Sequence, residues 1–343
     1  MGAQPLLKIE HLVKHFHVKL GAFGERLATV HALDDVDFEI MEGETLSLVG
    51  ESGCGKSTTG FTILNLHRAT AGKVIYRGEN IVELDEKQMR AFRRDLQIVF
   101  QDPYSTLNPR MTIGQAIAEP MLFHKLCTKA ELPERLATLL TDVGLPVRFA
   151  SRYPHELSGG QRQRVAIARA LACQPKFIVC DEAISALDVS IQAQIINLLL
   201  DLQDKYGLTY LFIAHDLAVV RHISTRVGVM YLGRLAELAT REELFDNPLH
   251  PYTRALLSAV PEIDPQHERT RQRQILQGDV PSPLDPPSGC RFHTRCPIAM
   301  DVCRSVVPEW REALPGHSVA CHAVAGQPAA RPVLTSVPAG LTA

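Results

Sequence analysis

Residues Gly50 to Ser57 read Gly-Glu-Ser-Gly-Cys-Gly-Lys-Ser, the G-x-x-x-x-G-K-[ST] spacing of a loop that wraps phosphate. Gly50, Gly53 and Gly55 let successive backbone N–H groups turn inward around phosphate oxygens. Glu51, Ser52 and Cys54 fill the loop between them, and a helix N-terminus placed after it adds a positive dipole. Lys56 has the reach for β- and γ-phosphates, and the Ser57 hydroxyl can ligate Mg2+. Thr58 closes the run of residues expected to touch the phosphates. A chance glycine-rich turn would lack what flanks this one. The apolar run Thr45–Val49 predicts a buried strand before it, and helical spacing begins near Gly55-Lys56 and runs past Ile63-Leu64.

Three further groups stand where they could serve the same chemistry. Asp181 and Glu182 follow the apolar run Phe177–Cys180. An isolated Asp-Glu pair is usually solvated surface, but a strand's C-terminal end is where an α/β sheet presents its ligand. His215 ends another apolar run, Tyr210–Ala214; a lone histidine there is more often structural. Ser158, Gly159 and Gly160 are small residues with free N–H groups, followed by helical spacing from Gln161 to Ala172 that aims its dipole at the same loop.

The stretch Leu157-Ser158-Gly159-Gly160-Gln161, after a phosphate loop in this order, resembles the signature of the ATP-binding cassette family. The resemblance implies an ATPase that places the signature of one subunit against the phosphates held by another. It implies that Asp181 holds Mg2+ through water and that Glu182 polarises the attacking water as general base. Gln101, after Ile98-Val99-Phe100, matches the Q-loop glutamine that contacts Mg2+ and faces the membrane partner. Ser185-Ala186-Leu187-Asp188 matches the D-loop that couples the two sites of a dimer, and His215 the switch histidine that touches the γ-phosphate. Phe16 is the candidate for stacking on adenine; core packing is the other reading of that ring. Ala183 departs from the family, many of whose members have proline there, which changes loop stiffness.

Alternating β-branched runs and helical patterns from Lys8 to about Leu244 suggest an α/β domain. With the resemblance, the expected fold is a P-loop ATPase with a RecA-like core and a helical signature subdomain over residues 6–245. A small cysteine-containing extension covers 246–323, and 324–343 form an Ala/Pro/Val-rich tail expected to be mobile. Helical spacing covers Ile117 to Leu145, with turn residues at Pro133 and Gly144. Pro281, Pro283, Pro286 and Pro287 mark an extended linker.

Val99 to Arg110, Ser185 to Ser190 and His250 to Leu257 resemble, more narrowly, the ATP-binding subunits of dipeptide and oligopeptide permeases. Such complexes pair two different ATPase subunits beneath two membrane permease subunits, fed by an extracytoplasmic peptide-binding protein. The implied location is peripheral, on the cytoplasmic face of the inner membrane. Importers of glutathione, nickel and antimicrobial peptides use similar subunits and remain alternatives, as does a cassette ATPase outside transport.

Cys290, Cys296, Cys303 and Cys321 have the spacing C-x5-C-x6-C-x17-C. Four thiolates can hold an iron–sulfur cluster; zinc and unligated thiols are the other readings, and the lack of a tight C-x2-C pair is a poor match to a zinc ribbon. The tail resembles permease subunits that carry a cluster, which implies [4Fe-4S]. His293, His317 and His322 lie near enough in sequence to compete as ligands. Cys127, Cys173 and Cys180 read as packing residues, and Cys54 as a small loop residue or an oxidisable one.

Composition narrows the classes. The 343 residues are 45% hydrophobic and 22% charged, with a formal net charge of -2, so no global basic field holds nucleic acid. No apolar run approaches the roughly 20 residues that span a bilayer. Met1 to Glu10 has no apolar signal core. A membrane association is therefore expected through partners, and the eight cysteines are expected as reduced thiols or metal ligands.

Overall fold

The computed structural model describes residues 4–20, 26–102, 106–260, 274 and 276–324. Pro103, Tyr104 and Ser105, within the Val99–Arg110 stretch, and residues 325–343 of the tail lie outside the described residues. The strands in chain order are β1 (Leu7–Leu20), β2 (Arg26–Ile40), β3 (Thr45–Val49), β4 (Ala71–Tyr76), β5 (Glu79–Asn80), β6 (Leu96–Val99), β7 (Phe177–Asp181), β8 (Thr209–Ile213), β9 (Arg226–Tyr231), β10 (Arg234–Thr240), β11 (Arg311–Leu314) and β12 (His317–Val319). The helices are α1 (Lys56–Ile63), α2 (Glu86–Asp95), α3 (Ile113–Phe123), α4 (Leu132–Asp142), α5 (Gly159–Leu171), α6 (Val189–Tyr206), α7 (Leu217–Ile223), α8 (Arg241–Asp246), α9 (Pro251–Ser258) and α10 (Val302–Ser305).

Two sheets organise these elements. An antiparallel sheet has the order β2-β1-β4-β5, and a mixed sheet has the order β11-β12-β10-β9-β3-β8-β7-β6. Within the mixed sheet, β9, β3, β8, β7 and β6 run parallel. Their continuous apolar runs are what a parallel strand covered on both faces requires. Side chains alternate between two cores. Leu46, Leu48, Phe177, Val179, Leu211 and Ile213 face the core shared with the antiparallel sheet. Ile178, Cys180, Tyr210, Phe212, Val227 and Val229 face the core built with the helices. Cys180 is buried there and Cys173 is buried just beyond α5, and burial pushes their thiols up to about 12 and about 11.

The helical spacing over Ile117–Leu145 resolves into α3 and α4. Pro133 does not break it. It stands in the first turn of α4, where a missing N–H costs no intrahelical bond. Thr112 caps α3 with a reciprocal bond to Gln115, which satisfies two otherwise orphaned amides. The proline-rich stretch does not hang free either: the Pro283 carbonyl accepts from the His31 N–H at 2.9 Å, seating it along β2.

The chain beyond residue 245 returns to the mixed sheet. β12 pairs antiparallel with β10 through Glu237↔Val319 and Leu238↔Ser318. Glu237 and His317 are fully buried and paired at 2.7 Å. Glu237 also accepts the N–H groups of Leu249 (2.7 Å) and His250 (2.9 Å). A buried carboxylate survives by such full satisfaction, and removing one partner of a buried pair typically costs about 3–5 kcal/mol.

Candidate functional site

The phosphate loop joins β3 to α1 at the carboxyl edge of the parallel strands. Gly55 has φ 108°, and a side chain there would meet the Ala32 carbonyl at 2.5 Å. Both its conformation and its neighbour demand glycine. Gly50 is held more tightly still, with the Met230 carbonyl 2.3 Å from where a Cβ would stand. Helix α1 begins at Lys56 without a side-chain cap, so its first N–H groups are left for an anion.

Lys56 is 5% exposed and folds back on the loop. Its ammonium donates to the carbonyls of Gly50 (2.8 Å) and Glu51 (3.1 Å) and lies 3.9 Å from Cys54 Sγ. A buried ammonium needs acceptors, and the loop carbonyls supply them. Cys54 is itself 4% exposed, and burial raises its thiol pKa. That disfavours the thiolate on which oxidation depends.

Ser57 Oγ donates to Asp181 Oδ1 at 2.7 Å. Burial raises the Asp181 pKa and Glu182 adds to this, while Ser57 and Lys56 oppose it. A divalent cation against Ser57 and Asp181 would remove the penalty on the charged form. Glu182 has φ 46°, and its N–H donates to the Ile213 carbonyl at 3.0 Å. A non-glycine residue in this region stores about 1–3 kcal/mol and persists only where its surroundings fix it. His215 Nδ1 lies 3.9 Å from Glu182 Oε2, and the His215 ring is largely exposed. Gln101 joins the group through Ser185: its Nε2 donates to Ser185 Oγ at 3.1 Å, and Ser185 Oγ donates to the Glu182 carbonyl at 3.0 Å. Phosphate loop, Asp181, Glu182, Gln101 and His215 thus form one continuous group.

The signature residues form a second, separate arrangement. Ser158 and Gly159 are exposed, and Gly160 is half-buried. Ser158 caps α5: its Oγ accepts from Gln161 N at 3.4 Å, and Gln161 Oε1 accepts from Ser158 N at 3.1 Å. The two glycines approach the D-loop and its helix, since added side chains would meet Leu187 and Ile191. Asp188 is exposed at the start of α6. Phe16 is half-buried rather than core, edge-on to His67 at 5.3 Å with the Lys14 ammonium 4.5 Å over its ring.

Sequence reasoning missed what holds the loop from behind. The Glu51 N–H donates to the Tyr252 hydroxyl at 2.9 Å. Its carboxylate takes both arms of Arg295, at 2.7 and 3.0 Å. The polar groups of Glu51 therefore face the extension, and only its carbonyl faces Lys56. His250-Pro251-Tyr252 was legible as a family stretch, but no local pattern links Tyr252 to a residue so distant in sequence.

The thiols of Cys290, Cys296, Cys303 and Cys321 lie close enough to influence one another electrostatically. Burial pushes Cys290 up to about 11 and also raises Cys296 and Cys321. Each of the three nearby histidines is bonded elsewhere through one ring nitrogen, and His317 Nδ1 is buried without a partner. His317 Nε2 pairs with Glu237, His293 Nδ1 bonds the Cys290 carbonyl at 2.8 Å, and His322 Nε2 bonds the Val306 carbonyl at 2.9 Å.

Comparison with known proteins fits this geometry. The family model described as ABC transporter matches residues 33–185, and the one described as oligopeptide/dipeptide transporter, C-terminal region, matches residues 236–303. The chain is 33% identical to the ATP-binding cassette MJ0796, solved as a dimer in a post-hydrolysis state with ADP and Pi. That match has a TM-score of 0.60 and covers 68% of this chain and 98% of that one. CbiO1 from Clostridium perfringens, part of the transporter complex cbiONQ, matches with a TM-score of 0.61 at 27% identity, over 71% and 91% of the two chains. The chain belongs to the ABC transporter family and is one of its ATP-binding, ATP-hydrolysing cassettes. Among curated relatives, the oligopeptide transport ATP-binding protein AppF of Bacillus subtilis is 52% identical, over 93% of this chain and 97% of its own. The putative oligopeptide transport ATP-binding protein YkfD of the same organism is 55% identical, over 94% and 96%. Among the described residues no helix is long and apolar enough to cross a membrane.

Proposed function

We propose that this chain energises the uptake of oligopeptides or dipeptides as a peripheral ATPase of a membrane importer, on the cytoplasmic face of the inner membrane. The observation that carries the reading is the match to oligopeptide transport ATP-binding proteins over nearly their whole length, including the region beyond the cassette. Its partners are a second ATPase subunit, two membrane permease subunits and an extracytoplasmic peptide-binding protein. Importers of glutathione, nickel or antimicrobial peptides are the alternatives. Residues 6–245 act as the ATPase domain and 246–323 as the carboxy-terminal extension.

In the reading we propose, Lys56 releases the loop carbonyls for the β- and γ-phosphates, and α1 directs its N–H groups at them. Ser57, Asp181 and Gln101 would hold Mg2+, which would neutralise phosphate charge. Glu182 accepts a proton from the attacking water, His215 contacts the γ-phosphate, and Phe16 packs on adenine. Ser158, Gly159, Gly160 and Gln161 serve the site of the partner ATPase, and Asp188 faces the same interface. The exposure of Ser158, Gly159 and Asp188 supports this, because surface loops with satisfied turns can dock without rearrangement. A cleft of about 400 Å3 beside the Q-loop, lined by Phe100, Leu107, Pro120 and Phe123 among others, suits a helix of a membrane subunit.

The four cysteines of the extension are the candidate ligands of an iron–sulfur cluster, with zinc and unligated thiols as the other readings. Cys290, Cys296, Cys303 and Cys321 would hold the cluster, which supplies covalent cross-links between distant segments, and electron-transfer chemistry where a redox partner exists. The chain's own contribution is to shield the thiols, which are buried or half-buried.

Affinity purification from gently solubilised native membranes, with mass spectrometry of the retained proteins, tests the reading. Two permease chains, a second cassette ATPase and a peptide-binding protein are expected. Retention of ribosomal or DNA-repair proteins would overturn it.

A further inference from the structure

We infer that Arg295 and Tyr252 are positioning residues for nucleotide binding, and that the carboxy-terminal extension uses them to hold the phosphate loop in its binding geometry through Glu51. The inference rests on the phosphate loop being the nucleotide site. Arg295 grips the Glu51 carboxylate with two bonds, 2.7 and 3.0 Å. Its side chain is only 8% exposed. A bidentate guanidinium–carboxylate pair sheltered from water fixes orientation as well as distance. The Glu51 partnership also raises the Arg295 pKa, so the cation persists at any working pH.

The same residue is held a second time. The Tyr252 hydroxyl accepts the Glu51 N–H at 2.9 Å, and burial raises the Tyr252 pKa, which keeps the hydroxyl neutral. Tyr231 stands between the two holders, its ring 4.8 Å from Tyr252 and its hydroxyl 3.5 Å from Arg295. With amide and carboxylate both turned toward the extension, the Glu51 carbonyl is left facing Lys56 at 3.1 Å.

A further tether reaches the middle of the loop. Arg291 donates to the carbonyl of Leu232 and to Asp34. The adjoining Gly233 N–H donates to the Cys54 carbonyl at 2.8 Å. Arg291 and Arg295 both lie between Cys290 and Cys296, so whatever anchors those two thiols also anchors this grip.

Phosphate binding requires several loop amides to point at one place, and a loop free to sample other arrangements binds in proportion to the fraction that is competent. Loss of the grip should therefore fall on nucleotide affinity and KM rather than on kcat. The test is titration of the purified full-length chain with a fluorescent ATP analogue, together with steady-state ATP hydrolysis, for Arg295→Gln, Arg295→Lys, Glu51→Gln and the Arg295→Gln/Glu51→Gln double variant. The expected result is about tenfold weaker binding and higher KM in both glutamine variants, partial recovery in Arg295→Lys, and a double variant no worse than either single one. Glu51→Gln nearly preserves shape and keeps the test open if Arg295→Gln fails to fold. Unchanged affinity in Glu51→Gln, or losses that add in the double variant, would overturn the inference. Failure of the wild-type chain to bind the analogue would instead count against the nucleotide site itself.

Discussion

The chain carries two glycine-containing loops, each with a role in nucleotide chemistry in the reading proposed above, and they are built oppositely. The phosphate loop is enclosed: Lys56 is bonded to its carbonyls, Ser57 to Asp181, and Glu51 is held from behind by Tyr252 and Arg295. The signature loop is open, with Ser158 and Gly159 exposed and its bonds closed within one turn to Gln161. A site that must bind nucleotide on its own is pre-formed by contacts across the whole chain. A surface that acts on another subunit's nucleotide needs only a rigid turn and small residues. In the reading proposed above, these are the two halves of one kind of site, one held together by its own chain and the other presented to a partner.

The sharpest way to break this comparison is at the general base. Glu182→Gln should retain ATP binding and lower turnover by about 100- to 10,000-fold, the range for loss of a general base. Near-normal hydrolysis would remove Glu182 from that role. Lys56→Ala should weaken nucleotide binding itself by about ten- to a hundredfold, the worth of a hydrogen bond to a charged group, as read by equilibrium titration.

The support behind the enclosed loop has a pH signature. Burial pushes His250 down to about 4, against about 6.5 in an unfolded chain. Glu237 opposes that shift, and Arg254 reinforces it. The neutral ring accepts the Tyr252 N–H at 3.1 Å. Its contribution to stability is complete above pH about 6.5 and falls as pH drops toward about 4, because the unfolded chain takes the proton first. The slope from this group reaches about 1.4 kcal/mol per pH unit. Denaturant unfolding across that window should be flatter in His250→Asn. The smallest effect is expected at the open loop. Ser158→Ala should leave ATP binding by the isolated chain within twofold of wild type and cost about 1 kcal/mol of stability through the lost helix cap. A large loss of affinity there would merge the two loops into one site.

Much of the enclosed site was legible because its chemistry is local. Gly50 to Ser57 announce themselves by spacing, since each glycine answers a constraint within a few residues. Asp181 and Glu182 stand out because an apolar strand carries them to the sheet edge. The supports were not legible, since Tyr252 and Arg295 act on Glu51 across most of the chain. Nor does any pattern around Glu237 foretell its burial with His317. The prolines from Pro281 read as a linker, yet Pro283 is bonded to β2. Proline limits backbone angles but does not say what the segment lies against.

The sequence by itself determined the family, the spacing of the phosphate loop, the buried strands β3, β7 and β8 and the cysteine spacing. These depend on residue type and short-range order, which backbone geometry translates directly into shape. Only the tertiary structure decided that residues 311–319 rejoin the mixed sheet through β10, and that Glu51 turns toward the extension. Such contacts depend on which distant segments the folded cores bring together, and sequence separation carries no record of that distance.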